Sequence, residues 1–217
     1  MSELKLIIVG AGGLGREVRA YAQEALGLES YELMGFLDDK PPPEDAAPLL
    51  AAPWLGPIRS HTPNEFERFI VAIGEPRSRE AVVDALRSRG ATFVTIRHPT
   101  AYVAGNATIA EGVVLAPFST VGAGARIGAF AHLHFYASAA HDTRLHDYAT
   151  LSPYAVANGG SVIGQAAFLG SRATVNPVTT VGRYSKVTAG SVVYQDIPAN
   201  SIAHGNPAKA RPQLESY

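Results

Sequence analysis

The chain has 217 residues, of which 47% are apolar, a formal net charge of −1 and no cysteine. This length allows one large domain or two small ones, and the lack of cysteine excludes disulfides, thiolate metal sites and a cysteine nucleophile. The near-neutral charge without a basic run argues against a nucleic-acid partner. The first apolar run, residues 6–9, is too short for a signal peptide or a membrane span, so we expect a cytoplasmic protein that does not contact a membrane.

Strand and helix patterns alternate through residues 1–98. We predict a surface loop in the proline-rich residues 41–57, strands at 5–9, 31–36, 69–73 and 92–96, and helices at 16–26 and 77–89. This alternation is typical of a small Rossmann-like α/β domain. We place its end near His98-Pro99, which leaves residues 99–217 as a second domain.

A glycine motif stands between the first strand and the first helix. Gly10, Gly12 and Gly15 match GxGxxG, and Asp38 and Asp39 lie a little over 20 residues further on. Three interpretations are open: an NAD-binding dehydrogenase, a tight turn without a ligand, and a nucleotide-sugar site. In the last case the N–H groups at the start of the helix hold a pyrophosphate, and the acidic pair holds ribose or base.

Residues 102–197 form a sequence repeat of 16 unbroken hexads. The second position is Ile, Leu or Val in 14 hexads, the sixth is Ala, Ser or Thr in 14, and every glycine falls at the third, fourth or fifth. One inward aliphatic residue per six residues predicts three short strands per triangular coil, with stacked coils that pair their backbones. Glycines near the corners are expected to use their freedom to adopt positive φ. The sequence therefore predicts a parallel β-helix.

The second half is also poor in charge. Only 12 of residues 99–217 are Lys, Arg, Asp or Glu. A surface with so few charges is usually covered, most simply by other copies of the same chain. We therefore expect a homo-oligomer.

Four histidines fall within 15 residues: His132, His134, His141 and His146. His141 occupies the fourth place of its hexad, a corner, and is followed by Asp142. Acyl transfer from a thioester needs a base for the attacking group and N–H donors for the developing oxyanion. Histidine suits the base, and a neighbouring carboxylate can fix its tautomer. We predict His141 as base with Asp142 as its orienting group, and expect His132 and His146 at the surface.

The repeat resembles the hexapeptide-repeat acyltransferase superfamily over residues 102 to about 211. The resemblance implies a left-handed helix, a homotrimer, and acyl-CoA bound in the groove between neighbouring prisms. The segment Gly205-Asn206-Pro207-Ala208-Lys209 is similar to the closing motif of that superfamily. By this resemblance Gly159 lies at the acyl thioester with its N–H towards the oxyanion, and Gly205, Pro207 and Lys209 lie near the CoA nucleotide.

A closer resemblance covers almost the whole chain. GAGGLGREV, FLDDK, VAIGEPRSR, HPTA and GNPAK are similar to motifs of the sialic-acid O-acetyltransferase-like (NeuD- and PglD-like) sugar acyltransferases, which include bacterial N-acetyltransferases of UDP- or dTDP-4-amino sugars. The resemblance implies that the nucleotide sugar contacts the glycine loop and the carboxylates that follow the second strand. The residues concerned are Gly12, Gly13, Leu14, Asp38, Asp39 and Gly74.

The chain departs from this subfamily at three positions around the acceptor. His134 stands where Asn is common, Thr150 where a second His is common, and Leu14 where the glycine loop often carries His. His134 is the candidate for a second polar group in the site, and a packing role at the corner is the open alternative. The resemblance implies N-acetylation, from acetyl-CoA, of a UDP- or dTDP-linked 4-amino-4,6-dideoxy sugar, with O-acetylation of a sugar hydroxyl as the alternative.

Other classes of function fit less well. An NAD-linked oxidoreductase needs a second catalytic domain, for which a β-helix is a poor candidate, and the His141-Asp142 pair argues against a non-catalytic nucleotide-sugar binder. His141 and His146 have the spacing of two zinc ligands in γ-type carbonic anhydrases. Their third ligand belongs two coils upstream, where this chain has Gly105. We therefore expect no metal.

Overall fold

The computed structural model describes residues 4–25 and 31–213. They divide into two compact units, with the division between Pro99 and Thr100. No helix within these ranges is long and apolar enough to cross a lipid bilayer.

The first unit contains one parallel sheet with strand order β3-β2-β1-β4. The strands of this sheet are β1 Leu4–Val9, β2 Tyr31–Leu37, β3 Trp54–Gly56 and β4 Glu67–Val71, and the short strand β5 Ile96–Arg97 does not belong to it. The helices of the unit are α1 Gly13–Ala25, α2 Ala47–Leu50 and α3 Pro76–Arg87, with a 3-10 turn at Ile58–Ser60. The two central strands are runs of apolar residues, with Ile8, Val9 and Ile70 at most 1% exposed. Continuous apolar runs are typical of parallel strands that are covered on both faces. The predicted α/β domain is confirmed.

Three local predictions in this unit were wrong. The proline-rich stretch at 41–57 contains α2 and the edge strand β3, which pairs in parallel with β2. Residues 92–96 form a strand only at their end, since Phe93 makes an isolated bridge to Phe69. Helix α1 begins at Gly13, within the predicted glycine turn, so residues 13–15 belong to the first turn of the helix. Its predicted last residue, Leu26, lies outside the described residues.

The second unit is a parallel β-helix, as predicted. Each hexad begins with a two-residue strand: β6 Tyr102–Val103, β7 Thr108–Ile109, β8 Val114–Leu115, β9 Thr120–Val121, β10 Arg126–Ile127, β11 His132–Leu133, β12 Ser138–Ala139, β13 Arg144–Leu145, β14 Thr150–Leu151, β15 Val156–Ala157, β16 Val162–Ile163, β17 Phe168–Leu169, β18 Thr174–Val175, β19 Thr180–Val181, β20 Lys186–Val187 and β21 Val192–Val193. The hairpin of β22 Ser201–Gly205 and β23 Ala208–Pro212 follows.

Each strand of the β-helix pairs with the strand one coil away. Ser138, for example, pairs with Thr120 and with Val156, each 18 residues distant. Three parallel sheets result. Face I comprises β6, β9, β12, β15, β18 and β21; face II comprises β7, β10, β13, β16 and β19; and face III comprises β8, β11, β14, β17 and β20, followed by the hairpin.

The second and sixth positions of the hexads fill the core of the prism. Leu133, Leu151 and Leu169 stack on face III with 0% exposure, and small residues such as Ala137 and Ala155 occupy the bends between faces. This buried column of aliphatic side chains is the main stabilising contact between successive coils.

The corners differ from the prediction for glycine. Positive φ occurs at the fifth position of 14 consecutive hexads, and ten of these residues are not glycine. Third-position glycines have a different requirement: a Cβ at Gly122 or Gly164 would lie 2.6 Å from a backbone nitrogen of the next coil. These glycines are therefore needed for close approach of the backbones, and their φ is not positive.

Candidate active site

His141 lies at the corner where the chain leaves face I for face II, between β12 and β13. Two backbone hydrogen bonds hold this corner: Asp142 N donates to Ala123 O at 2.9 Å, and Gly160 N donates to His141 O at 2.9 Å. The side chains of His141 and Asp142 are each 71% exposed. The β-helix therefore presents the pair to solvent on a rigid backbone.

Asp142 fixes the tautomer of His141. Its Oδ2 lies 2.9 Å from His141 Nδ1, and an ionised carboxylate can only accept a hydrogen bond. The proton must therefore be on Nδ1 when the imidazole is neutral, which leaves the lone pair on Nε2. No hydrogen-bond partner of Nε2 occurs among residues 4–25 and 31–213, so this nitrogen is available as a base.

Gly159 lies one coil above His141, against the imidazole. A Cβ added at Gly159 would overlap His141 Nε2 and Cε1, and the φ of Gly159 is not positive. The imidazole therefore requires glycine at this position for space. The Gly159 N–H donates to no acceptor within the described residues. Gly159, which carries this N–H, therefore lies against the imidazole, and an N–H donor near the base is what acyl transfer requires.

The other histidines of the cluster lie elsewhere on the prism. His146 is exposed at the end of β13, as expected. His132 was expected at the surface but is 1% exposed; the residues on either side of it on face III, Val114 and Thr150, are also buried. His134 is half-buried at the end of β11, where face III turns towards face I. In one chain the width of face I therefore separates His134 from His141.

The glycine loop of the first unit has two structural glycines and two open ones. A Cβ at Gly10 would lie 2.6 Å from Ala72 O, and a Cβ at Gly15 would overlap Gly10 O. Close packing of strand against helix therefore requires both. Gly12 and Gly13 are exposed, and a Cβ at Gly12 would meet nothing within 4 Å. The fold of the loop itself does not need glycine at position 12.

Asp38 holds this loop through its carboxylate. Its Oδ2 accepts from Ala11 N at 2.9 Å and its Oδ1 accepts from Lys40 N at 3.1 Å. The exposed Asp39 makes one longer contact, in which its Oδ1 accepts from Arg59 N at 3.3 Å. Asp38 thus positions the glycine loop, a role that the sequence did not indicate.

A second loop lies against the glycine loop. Gly74 follows β4, and a Cβ on it would be 3.8 Å from the side chain of Leu14. Arg79, which is fully buried, donates from Nη1 to Ile73 O at 2.6 Å and to Gly74 O at 3.3 Å. Arg79 was not predicted from the sequence, because nothing in the segment VAIGEPRSR indicates that this arginine is buried.

The C-terminal motif forms the turn of the β22–β23 hairpin. Gly205 pairs with Ala208, and the Asn206-Pro207 peptide bond is cis. Gly205 N donates to Ser191 Oγ at 3.0 Å, which ties the turn to the last coil. Lys209 is exposed and pairs with His204 across the hairpin.

Within residues 4–25 and 31–213, no group of three His, Cys, Asp or Glu side chains could hold a metal ion. The structure brings together His141, Asp142 and Gly159 in the second unit. It brings together the glycine loop, Asp38, Leu14 and Gly74 in the first.

Comparison with known proteins identifies the family. Residues 5–86 match the family described as the PglD N-terminal domain. The GDP-perosamine N-acetyltransferase of Escherichia coli O157:H7 is 30% identical over 217 residues, which cover 93% of this chain and 94% of that protein.

Solved structures agree with this result. A histidine-to-alanine variant of the GDP-perosamine N-acetyltransferase from Caulobacter crescentus, in complex with CoA and GDP-perosamine, is 29% identical with a TM-score of 0.86; the match covers 95% of this chain and 96% of that one. The acetyltransferase domain of PglB from Neisseria gonorrhoeae FA1090, in complex with acetyl coenzyme A, is 30% identical with a TM-score of 0.83, covering 97% of this chain and 100% of that one.

The chain therefore belongs to the sialic-acid O-acetyltransferase and PglD type of hexapeptide-repeat sugar acetyltransferases. It is an acyl-CoA-dependent sugar acyltransferase that uses acetyl-CoA, and its second unit is a left-handed β-helix.

Proposed function

We propose that the protein transfers an acetyl group from acetyl-CoA to the 4-amino group of a nucleotide-linked 4-amino-4,6-dideoxy sugar. The observation that carries this proposal is the corner at which His141 Nε2, with its tautomer fixed by Asp142 at 2.9 Å, lies against Gly159. An amine acceptor is favoured because the relatives matched along nearly their whole length include N-acetyltransferases of GDP-perosamine, which is such an amino sugar.

The residues of the corner account for each proton in the reaction. The sugar amine attacks the thioester carbonyl, and His141 Nε2 takes a proton from the amine as the new N–C bond forms. The Gly159 N–H stabilises the negative charge on the carbonyl oxygen. The C–S bond then breaks, and the imidazolium returns the proton to the departing CoA thiolate. The Asp142 carboxylate stabilises the imidazolium between these two steps.

The first unit is proposed to hold the sugar nucleotide. Gly12 supports this proposal. The loop has room for a side chain at this position, so the fold of the loop does not explain why the residue is glycine. A bound pyrophosphate on the N–H groups of residues 12–14 would need that space. Asp38, Asp39 and Gly74 complete the proposed site, with Leu14 facing Gly74.

The nucleotide is proposed to be GDP. The expectation of UDP or dTDP from the subfamily resemblance has less support, since two relatives aligned over nearly their full length, from Escherichia coli O157:H7 and Caulobacter crescentus, are named for GDP-perosamine. A thermal-shift panel tests this choice with GDP-, UDP- and dTDP-linked sugars, acetyl-CoA and NAD. We expect acetyl-CoA and the GDP sugar to raise Tm. A rise with NAD and none with any nucleotide sugar would contradict the proposal.

The acidic pair should act on the acceptor and leave acetyl-CoA binding unchanged. Asp38→Ala removes one hydrogen bond that holds the glycine loop, from Ala11 N, and one from Lys40 N, and Asp39→Ala removes one weaker bond. Loss of a hydrogen bond to a charged group costs about 1.5–3 kcal/mol, so the acceptor KM should rise by about 10- to 100-fold for Asp38→Ala and less for Asp39→Ala. Steady-state kinetics with each substrate varied in turn measures both values. An unchanged acceptor KM in both variants would place the sugar nucleotide elsewhere.

The protein is proposed to be a homotrimer with acyl-CoA bound between subunits, its nucleotide near Gly205, Pro207 and Lys209. The support is the scarcity of charge in residues 99–217 and the resemblance to the superfamily. Sedimentation equilibrium at micromolar concentration should give the mass of three chains. A single-chain mass at that concentration would contradict the trimer.

A further inference from the structure

The four parallel strands of the first unit all end at the same edge of their sheet. The glycine loop follows β1, Asp38 and Asp39 follow β2, and Gly74 follows β4. Ligands of open α/β sheets bind in the crevice outside the carboxyl ends of the strands. The fourth strand at this edge is β3, and the proposed nucleotide site uses no residue after it. We call residues 57–61, which follow β3, the β3 turn.

Hydrogen bonds join β3 and its turn to the acidic pair. Asp38 N donates to Gly56 O at 3.2 Å, and Arg59 N donates to Asp39 Oδ1 at 3.3 Å. The indole Nε1 of Trp54 donates to Asp38 O at 3.0 Å. Because β2 stands between β3 and β1 in the sheet, the β3 turn borders the acidic pair on the side away from the glycine loop.

Arg89 holds the β3 turn in place. Its Nη1 contacts three carbonyl oxygens of the turn, at distances of 2.8 to 3.0 Å. These oxygens belong to Ile58, Arg59 and His61. The Nε of Arg89 donates to Ala85 O, on helix α3, at 2.9 Å. A side chain on this turn therefore starts from a fixed backbone, as specific recognition of a ligand requires.

The turn carries one charged side chain that the fold does not use. Arg59 is exposed, and its guanidinium makes no hydrogen bond or ion pair within residues 4–25 and 31–213. All of its hydrogen bonds are made by its backbone, to Asp39 and Arg89. The guanidinium has five N–H donors in a planar fork. A ligand at this edge of the sheet can therefore accept from Arg59 without breaking a contact of the protein.

The order of the strands indicates which part of a nucleotide reaches the β3 turn. In dinucleotide-binding folds the pyrophosphate lies at the glycine loop after β1, and an acidic residue after the second strand binds the ribose. Neighbouring strands are about 4.8 Å apart. A nucleotide that lies along the edge from β1 to β2 therefore brings the group beyond its ribose to the end of β3. That group is the base.

We propose that Arg59 selects the guanine base of the sugar nucleotide by donating two hydrogen bonds to its O6 and N7. The inference rests on the proposed function, in its nucleotide site on the first unit. An arginine fork matches these two acceptors of guanine. Thymine presents the single acceptor O4 and a methyl group on the corresponding edge, and uracil presents O4 without the methyl group. Arg59 therefore favours GDP over UDP and dTDP.

Trp54 offers the base a flat neighbour and the experimenter a signal. It is the only tryptophan of the chain, and its side chain stacks on no other ring in the part of the chain that the structure describes. Trp54 is 37% exposed, and bases stack on exposed aromatic side chains. A base bound at β3 should therefore change the fluorescence of Trp54, a readout that does not depend on catalysis.

Nucleotide affinities test the inference. Binding of GDP, UDP and dTDP to the wild type and to Arg59→Gln is measured by calorimetric titration and by Trp54 fluorescence. Arg59→Gln should lower the affinity for GDP by about 10- to 100-fold and change the other two by no more than about twofold, because the guanidinium contacts only the base. The fold should not change, since the hydrogen bonds of Arg59 come from its backbone.

Lys40→Gln is the matched control. Lys40 follows Asp39 and is exposed, and its side chain has no polar partner among the described residues. The variant removes the same charge from the same edge of the sheet, and it should keep the wild-type ratio of GDP to UDP affinity. Loss of that ratio in Lys40→Gln and its survival in Arg59→Gln would overturn the inference.

An analogue of GDP tests the contact atom by atom. In 7-deaza-GDP a carbon replaces N7, so the wild type should bind it about tenfold more weakly than GDP, whereas Arg59→Gln should bind the two equally. Equal binding of both by the wild type would overturn the inference, as would unchanged Trp54 fluorescence at saturating GDP.

Two further outcomes separate the inference from the proposed function. If Arg59→Gln weakens GDP, UDP and dTDP by the same factor, Arg59 contacts phosphate, and the inference is overturned while the proposed function stands. If the wild type binds none of the three nucleotides and none of their amino sugars, the nucleotide site on the first unit is wrong and the inference is overturned with it.

Discussion

Replacing His141 by alanine should lower kcat by about 10²- to 10⁴-fold, the usual cost of losing a general base. Nε2 is the free nitrogen beside Gly159, and no other side chain of the described corner offers a base there. Trimer mass and acetyl-CoA affinity should stay unchanged, because backbone groups of the β-helix would supply most contacts to CoA. Steady-state kinetics, sedimentation and calorimetric titration with CoA measure these three quantities.

Two other histidines serve as controls for His141→Ala. His146→Ala should have almost no effect, since His146 is exposed on face II, and His134→Ala should have a smaller effect than His141→Ala. The ranking of the three variants is the test. If His146→Ala were as damaging as His141→Ala and added zinc restored activity, the site would be a metal centre.

Replacing Gly159 by alanine should lower kcat/KM by about 10²-fold without unfolding the protein. The new methyl group would overlap His141 Nε2 and push the imidazole out of place, and a displacement of about 1 Å can cost this much. The φ of Gly159 is one that alanine adopts, so the backbone should not change. Initial rates at subsaturating acetyl-CoA and the thermal midpoint together separate a catalytic from a folding effect.

The matched control is Gly105→Ala. Gly105 occupies the same hexad position on the same corner, three coils from Gly159, and a Cβ there would meet nothing within 4 Å. It should retain wild-type activity. Equal losses in both variants would mean that the corner, and not the imidazole, is sensitive to substitution.

The repeat could be predicted in full because one physical requirement governs every coil. An inward aliphatic residue recurs at the second position, and all 16 strands lie where the hexads placed them. The glycines were harder to interpret, since Gly122 and Gly124 stand two residues apart for different reasons. A Cβ at the first meets the backbone of the next coil, whereas the second has φ 70°.

The first unit was less predictable because its short elements depend on tertiary contacts. Strand β3 has three residues in a proline-rich stretch, and pairing with β2 fixes it. Phe93 has the pattern of a strand residue, yet it makes a single bridge to Phe69. The burial of His132 and Arg79 depends on neighbours distant in sequence, which no local pattern contains.

The candidate site was only partly visible in the sequence. Adjacency of His141 and Asp142 suggested their hydrogen bond, and the resemblance to the superfamily, not the residues themselves, suggested Gly159. The role of Asp38 in holding the glycine loop could not be inferred from the sequence. An aspartate that accepts a hydrogen bond from the backbone and one that binds a ribose look the same in a sequence.

The most direct test of the account is a product analysis. Purified protein is incubated with acetyl-CoA and GDP-perosamine, and the sugar nucleotide is examined by mass spectrometry and NMR, with release of free CoA followed in parallel. We predict one acetyl group per sugar, on the 4-amino nitrogen, with one CoA released for each. Acetylation of a hydroxyl, or no transfer to any GDP-, UDP- or dTDP-linked amino sugar, would contradict the account.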